Sequence, residues 1–362
     1  MVASAIQPHF LDSFAHSPKT EEQVIFFQKL VQNRVKNITR DMAYILAKEF
    51  KVQHQEVVRA SHNIKTFNKV INPPLSADFF LGTKGEVKGT LDCGCEYYID
   101  GDTKAYTPIH KLFDRDVWNK RIAKAVRKMI FLSALDGFSA GRNIQKGGYY
   151  FEEKKASSVQ SSIGFTEDNA GVSDWLDSYT MKFSDSINSN IQKGLDKIVS
   201  EAIVEEGSTG AIRKRIQDEI NAKYSYIYGD SGGKTIPMWK AYQISQTETA
   251  AAQNAGNLAG LISSKVVEYK GWMSRRNSKV RPDHVAADSE YTRMKGIPLT
   301  KNFTIGSGKS KAIMSAPGVL VSGNVGQRIN CGCILIAAKK GSGSGSSGSV
   351  SEPDLPIPSG VG

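Results

Sequence analysis

Cysteine is scarce in this chain, with four in 362 residues. That is too few for a disulfide framework, and a reducing compartment is the default expectation. Long apolar runs are also missing. No stretch approaches the ~20 residues that a membrane-spanning helix needs, so no membrane association is expected. The opening residues, Met1 to Phe10, have neither a basic start nor an apolar run behind it. No signal peptide is expected there, and the Asn-x-Thr matches at Asn37 and Asn302 carry no glycosylation meaning. There is no Ser/His/Asp order and no metalloprotease motif. What is present is sufficient for folding. Apolar residues make up 40% of the chain and aromatics 9%, enough for real cores, and the length suggests two or three domains.

Acidic residues are the minority charge, and they are unevenly spread. The net charge is +11. Residues 237–340 hold fifteen Lys/Arg against five Asp/Glu, and residues 1–150 hold twenty-two against fifteen. Residues 151–236 are mildly acidic, with ten against fourteen. Two basic blocks flanking an acidic one suit a polyanionic partner, of which nucleic acid is the commonest. The plainer reading is solubility.

In chain order, residues 1–138 read as an N-terminal helical domain. Apolar positions from Val24 to Leu46 keep a helical period, and the stretch from about Thr20 to Asn68 is expected to be two or three helices, with a break near Phe50 to His54. Asn72-Pro73-Pro74 ends it. Glycines at 82, 85, 89, 94 and 101 mark a hairpin-rich insert over about 75–108. A helix is expected from Asp114, with Val117, Trp118, Ile122, Val126 and Met129 on one face and Lys120, Arg121, Lys124, Arg127 and Lys128 around it. This basic face either meets DNA or a partner or, more plainly, is solvated. Residues 139–172 read as a linker, and 173–236 as a helical hairpin capped by Ser173 or Asp174, with its second helix at Ala211 to Ala222. Two phosphate-loop lookalikes, Gly229 to Thr235 and Gly306 to Ser310, lack the glycine five residues before Gly-Lys. They read as turns, because backbone amides cannot wrap a phosphate there. The tail, 339–362, is Gly/Ser-rich and then Pro-rich, and is expected to be disordered, with no room for a further domain after Cys333.

The remaining block, 237–338, carries the most informative pattern. A polar, alanine-rich segment, residues 242–256, contains Thr247-Glu248. An apolar run from Lys265 to Met273 contains Trp272. Then come Val280-Arg281-Pro282-Asp283-His284 and, at the close, Asn330-Cys331-Gly332-Cys333. In order and spacing this block resembles the phage Mu F-like minor head protein family, also called phage head morphogenesis proteins. The likeness is close over about 240–338, loose over 174–236, and invisible in the first 160 residues. Two positions depart from the family pattern, which usually has Asp where Asn277 stands and often Arg where Gly332 stands. The resemblance implies an α+β fold: a predominantly helical chain with a small C-terminal motif domain. It also implies a non-enzymatic minor head protein that associates with the portal protein and other capsid components. Such a protein belongs to the virion, and to the host cytoplasm during assembly. Contact with packaged double-stranded DNA would fall to the basic loop Arg275, Arg276, Lys279 and Arg281. The alternatives are a metal-dependent enzyme acting on nucleic acid or a host target, and a non-specific DNA-binding protein.

His284, Cys331 and Cys333 are the candidate metal ligands, with zinc the ion their chemistry suits. Cys-x-Cys is tighter than the usual Cys-x-x-Cys. A second such pair, Cys93 and Cys95, lies in another part of the chain. The plainer expectation is that Cys331 and Cys333 are small core residues on a last strand, Ile329 to Ala337, where period two puts them on one face. On that reading no cofactor is bound. Arg281 has a structural use too, as an ion-pair partner for Glu248. No catalytic residue is assigned.

Overall fold

A computed structural model describes residues 21–63, 80–81, 87–90, 96–99, 113–142, 165–205, 214–215, 218–219 and 238–340. Within these the chain is α+β, mostly helical with a small β region toward the C-terminus. The helices are α1 (Glu21–Asn63), α2 (Arg115–Arg142), α3 (Ala170–Glu205), α4 (Met238–Ser264) and the short α5 (Pro282–Glu290). None of the described helices is long and apolar enough to cross a membrane. Cys93, Cys95, the Gly229 to Thr235 turn, most of Ala211 to Ala222 and the tail after Lys340 lie outside the described residues.

The chain divides into two compact units that are not contiguous in sequence. One unit takes Ile45–Ala125 and Thr180–Ala241. It contains the insert, a three-stranded antiparallel meander of β1 (Phe80–Leu81), β2 (Val87–Thr90) and β3 (Glu96–Ile99). Its helices bury Phe50, Val57, Ile122, Ile191 and Leu195. A relay of side-chain amides stitches them together. Gln53 donates to Asn188 at 3.0 Å, Asn188 to Asn119 at 2.7 Å, and Asn119 to Asp185 at 2.8 Å. Each buried amide therefore has a partner, as buried polar groups require.

Three local expectations change. α1 is one unbroken 43-residue helix. It contains no Gly or Pro, and Phe50 and Gln53, at the anticipated break, are buried contacts. Packing overrides the weak propensity there. α2 continues to Arg142, four residues into the stretch read as linker. α3 starts at Ala170 rather than after Ser173, because the Asn169 side chain accepts from Gly171 N at 3.1 Å and Val172 N at 3.4 Å. The basic face of α2 is partly neutralised within the protein. Arg115 pairs with Asp185, Arg121 with Glu49 and Glu56, and Arg127 with Asp177 and Glu167. Such half-exposed pairs contribute only about 0–1 kcal/mol each, but they remove charge that a polyanion would otherwise meet.

The other unit takes the ends of the chain with Val126–Tyr179, and it holds the motif block. Here α2 and α4 cross backbone against backbone. Gly137 and Gly141 on α2 face α4, and Gly256 and Gly260 on α4 face α2. A Cβ at Gly256 would sit 1.9 Å from the Ala134 carbonyl oxygen, and one at Gly137 1.9 Å from that of Gln253. Small residues at a spacing of four create this approach, and the alanine-rich composition of α4 serves the same end. Beyond α4, β5-β4-β9 form one antiparallel sheet: β4 is Tyr269–Met273, β5 Ile297–Pro298 and β9 Ile334–Ala338. Trp272 is registered with Leu335. β6 (Phe303–Ile305), β7 (Ala312–Ala316) and β8 (Val319–Gly323) form a second antiparallel sheet. The Gly306 to Ser310 lookalike is the turn between β6 and β7. A strand follows it, not a phosphate-binding helix.

Asn254 ties α4 to this β region. Its Nδ2 donates to the carbonyls of Pro317 at 2.9 Å and Cys333 at 3.0 Å, and its Oδ1 accepts from Leu335 N at 2.9 Å. Asn257 Nδ2 adds a bond to Leu335 O at 3.0 Å. A helix whose exposed-looking sequence is polar is thus buried and sewn to a strand by its amides.

Candidate functional site

α5 begins where Pro282 presets its first turn, a position where a missing N–H is harmless. This puts Asp283 and His284 side by side at the helix start. His284 is 2% exposed, Cys331 2% and Cys333 3%. The His284 ring meets Trp272 edge-on, with centroids 5.5 Å apart. Its Nδ1 lies 3.3 Å from Cys333 Sγ and 3.7 Å from Cys331 Sγ. Its Nε2 lies 3.1 Å from Gln327 Oε1.

The cysteines are not on the last strand. β9 begins at Ile334, and Cys331 and Cys333 lie just before it, after a short helical turn at Val325–Gln327. Their shared direction comes from this loop and not from strand alternation. Asn330 precedes them at φ 54°, a left-handed conformation that Asn tolerates better than most residues. Its backbone N–H donates to Thr247 Oγ1 at 3.0 Å, and Thr247 donates in turn to Gln243 O at 2.9 Å. Gly332 sits under a guanidinium. A Cβ there would lie 1.6 Å from Arg275 Nε, and Arg275 donates to Gly332 O at 3.3 Å. Turned for hydrogen bonding, the Gln246 amide oxygen accepts from the same guanidinium at 2.8 and 3.1 Å.

A second buried cluster lies beside the Thr247 contact. Glu248, 6% exposed, pairs with Arg328 and accepts from the Tyr179 hydroxyl at 2.7 Å. Arg328 also donates to Tyr179 Oη and Gly318 O, both at 3.1 Å. Burial raises the Tyr179 hydroxyl well above the usual phenol range, and the Glu248 charge adds to this. Burial is the largest single effect and opposes the charge on Arg328, but Glu248 and Tyr179 together outweigh it and raise its pKa. The partner of Glu248 is therefore Arg328, not Arg281. Arg281 donates instead to Ile329 O at 2.6 Å, which ties the start of α5 to the loop before the cysteines.

No family model, curated protein or solved structure matches the chain.

The two thiols act as a pair. Cys333 hydrogen-bonds to Cys331 and so holds Cys331 well below the usual thiol range, with His284 assisting against burial. The same contact pushes Cys333 well above it, and burial adds to the shift.

The four basic loop residues do not act together. Arg275 is engaged with Gly332 and Gln246, and Arg281 with Ile329 O. Arg276 is exposed but pairs with Asp288 at 3.2 Å. Lys279 is exposed. Asn277 makes a local turn, its side chain accepting from Lys279 N at 3.0 Å. Sequence reasoning missed Gln327, Arg328, Tyr179 and Asn254. Nothing in their local sequence marks them, and only their partners across the fold give them a role.

Proposed function

We propose that this chain is a minor head protein that acts in phage head morphogenesis at the portal vertex and remains in the virion after assembly in the host cytoplasm. The observation that carries this reading is convergence. Thr247, Glu248, Trp272, Arg281, His284, Asn330, Cys331 and Cys333 come from four separate stretches of sequence. They meet in one compact unit around two buried clusters, with the half-buried Arg281 and the exposed Asn330 at the edge. The residues that carry the resemblance are thus the residues that hold the motif block together. The burial of Trp272, His284, Cys331 and Cys333 supports a scaffold role over turnover, since a substrate would need access to His284.

Contact with packaged DNA is the second part of the reading, favoured by the excess of fifteen basic over five acidic residues in 237–340. With no base-reading motif, binding is electrostatic and tolerant of sequence. Two measurements test the function. The full chain, expressed with the capsid and portal genes of its own phage, should co-sediment with assembling heads. Recovery only as a free protein, with none on heads or portal, overturns the assembly role. Affinity for duplex DNA should fall steeply with salt, by counterion release. A salt-independent affinity, or a strong preference for one sequence, removes the DNA contact alone.

A further inference from the structure

We propose that His284 Nδ1, Cys331 Sγ and Cys333 Sγ are three ligands of a bound zinc ion, with water in the fourth position. This goes beyond the head-morphogenesis reading and does not depend on it.

The first argument is geometry. The three atoms all lie within 4.8 Å of one another, and the two N···S separations are 3.3 and 3.7 Å. Zinc bonds of ~2.0–2.1 Å to nitrogen and ~2.3 Å to sulfur, at tetrahedral angles, require N···S edges of about 3.6 Å. Both N···S separations stand within a few tenths of an ångström of that.

The second argument is the tautomer. Gln327 Nε2 lies between two acceptors, Asp283 Oδ2 at 2.5 Å and Ser310 O at 3.1 Å. That fixes the amide orientation and leaves Gln327 Oε1 as the acceptor facing His284 Nε2. The proton of the neutral imidazole therefore sits on Nε2, and the bare lone pair of Nδ1 faces both sulfurs. A metal-ligating histidine is held in this way, with its far N–H given to an oxygen that is itself anchored. Here the anchor is Asp283, the residue next to His284 on the same helical turn. In a purely packed core the arrangement is wasteful. A thiol is a weak donor, so a lone pair aimed at sulfur gains little there.

The third argument is an orphan. Trp272 is fully buried, and its Nε1–H has no hydrogen-bond partner among the described residues. Its ring meets the His284 ring edge-on, with centroids 5.5 Å apart, so this spare donor belongs to the same buried cluster as the two sulfurs. A neutral thiol satisfies an indole N–H poorly, whereas a metal-bound thiolate carries the charge such a donor stabilises. The Arg275 guanidinium lies over Gly332, the residue between the two cysteines.

Among the described residues, no further His, Cys, Asp or Glu side chain joins the cluster, which is why water completes the shell. Soft thiolates with one imidazole select zinc over magnesium or calcium, whose ligands are oxygens.

The test uses the reduced full-length chain, stripped with chelator and titrated with Co²⁺ alone. We expect one equivalent to bind. It should give thiolate-to-cobalt charge-transfer absorption and the visible bands of tetrahedral cobalt, and Zn²⁺ should displace it. Cys331→Ser and Cys333→Ser should each reduce the charge-transfer band. Gln327→Leu keeps all three ligands but frees the tautomer. It should retain the bands while weakening affinity roughly 10–100-fold, a change that a merely structural Gln327 would not produce. If the serine variants do not fold, the wild-type titration and Gln327→Leu decide. A folded, reduced wild type that shows no charge-transfer band overturns the site. So does a band that survives both cysteine substitutions, or a Gln327→Leu variant with unchanged affinity.

Discussion

The two buried clusters come closest in sequence at Arg328 and Cys331, just before β9, and follow opposite logic. Glu248, Arg328 and Tyr179 form a closed set. One carboxylate, one guanidinium and one hydroxyl satisfy each other, and the spare guanidinium donor goes to the Gly318 carbonyl. His284, Cys331 and Cys333 form an open set, in which a lone pair and two sulfurs converge with fewer strong donors than acceptors. A closed cluster fixes shape without any ligand. An open one is complete only when something is added. Family-like motifs mix the two kinds, so spacing alone cannot separate a residue that holds the fold from one that holds a ligand.

Breaking the closed cluster should have the largest effect. Glu248→Ala leaves the Arg328 charge in a buried setting without its carboxylate. Removing one partner of a buried pair typically destabilises by about 3–5 kcal/mol. Since a quarter of the Arg328 side chain is exposed, the lower end of that range is expected. Glu248→Gln keeps an acceptor and should lose less. Arg281→Ala, which gives up only a bond to the Ile329 carbonyl, should lose well under half as much. Urea denaturation of the three variants checks the order. Equal losses for Glu248→Ala and Arg281→Ala would mean that the motif arginine carries the charge pairing after all.

How much of this was legible in the sequence differs between the two clusters. Trp272, His284 and the Cys-x-Cys pair could be singled out because their residue types are rare and chemically specific. Their fold context could not be. The cysteines read as strand residues from the apolar run that follows them, but the left-handed Asn330 and the turn before it delay the strand to Ile334. The Glu248 partner was misread for a similar reason. Arg281 is the arginine of the motif, yet Arg328 faces α4. A choice among fifteen basic residues in one block is made by the crossing of elements, which no local pattern encodes. The α2–α4 crossing itself was visible in principle, as glycines four apart on both helices.

Lys270 offers a control, a buried charge with no carboxylate partner among the described residues. Its side chain is fully buried in β4, its ammonium donates to Ser315 O at 2.7 Å, and it lies 5.3 Å from the Phe303 ring centre. Burial lowers its pKa to about 7 from an ordinary 10.5. Between those values the unfolded chain binds one proton more than the folded one, so stability must rise with pH across that window. Below about pH 7 the lysine is charged in both states and the desolvation penalty is borne in full. The rise should be on the order of 2–4 kcal/mol. Lys270→Met should flatten it, the variant gaining on the parent most below about pH 7. Denaturation midpoints across the range provide the measurement, and parallel curves for parent and variant would show that water reaches the ammonium.

The smallest expected effect lies at Asn330, the residue that joins the two clusters. Its backbone N–H reaches Thr247, next to Glu248, and its carbonyl side leads directly into Cys331. Its side chain is exposed and its φ is 54°, so the structure uses its conformation more than its amide group. A β-carbon without a compensating polar group is disfavoured in that conformation, and Asn330→Ala should destabilise by about 1 kcal/mol. Asn330→Gly adopts the same φ freely. It should stay within about half a kcal/mol of the parent, the strain it relieves offsetting the entropy it adds to the unfolded chain. Thr247→Val removes the acceptor, but Asn330 is open to water, so the loss there should also be small. The informative result is the contrast between glycine and alanine. If both substitutions at 330 destabilise equally, the asparagine acts through its side chain, and the loop that presents the cysteines is held by a contact other than the one to Thr247. If alanine alone destabilises, the asparagine of the motif serves the backbone turn that aims both sulfurs at His284.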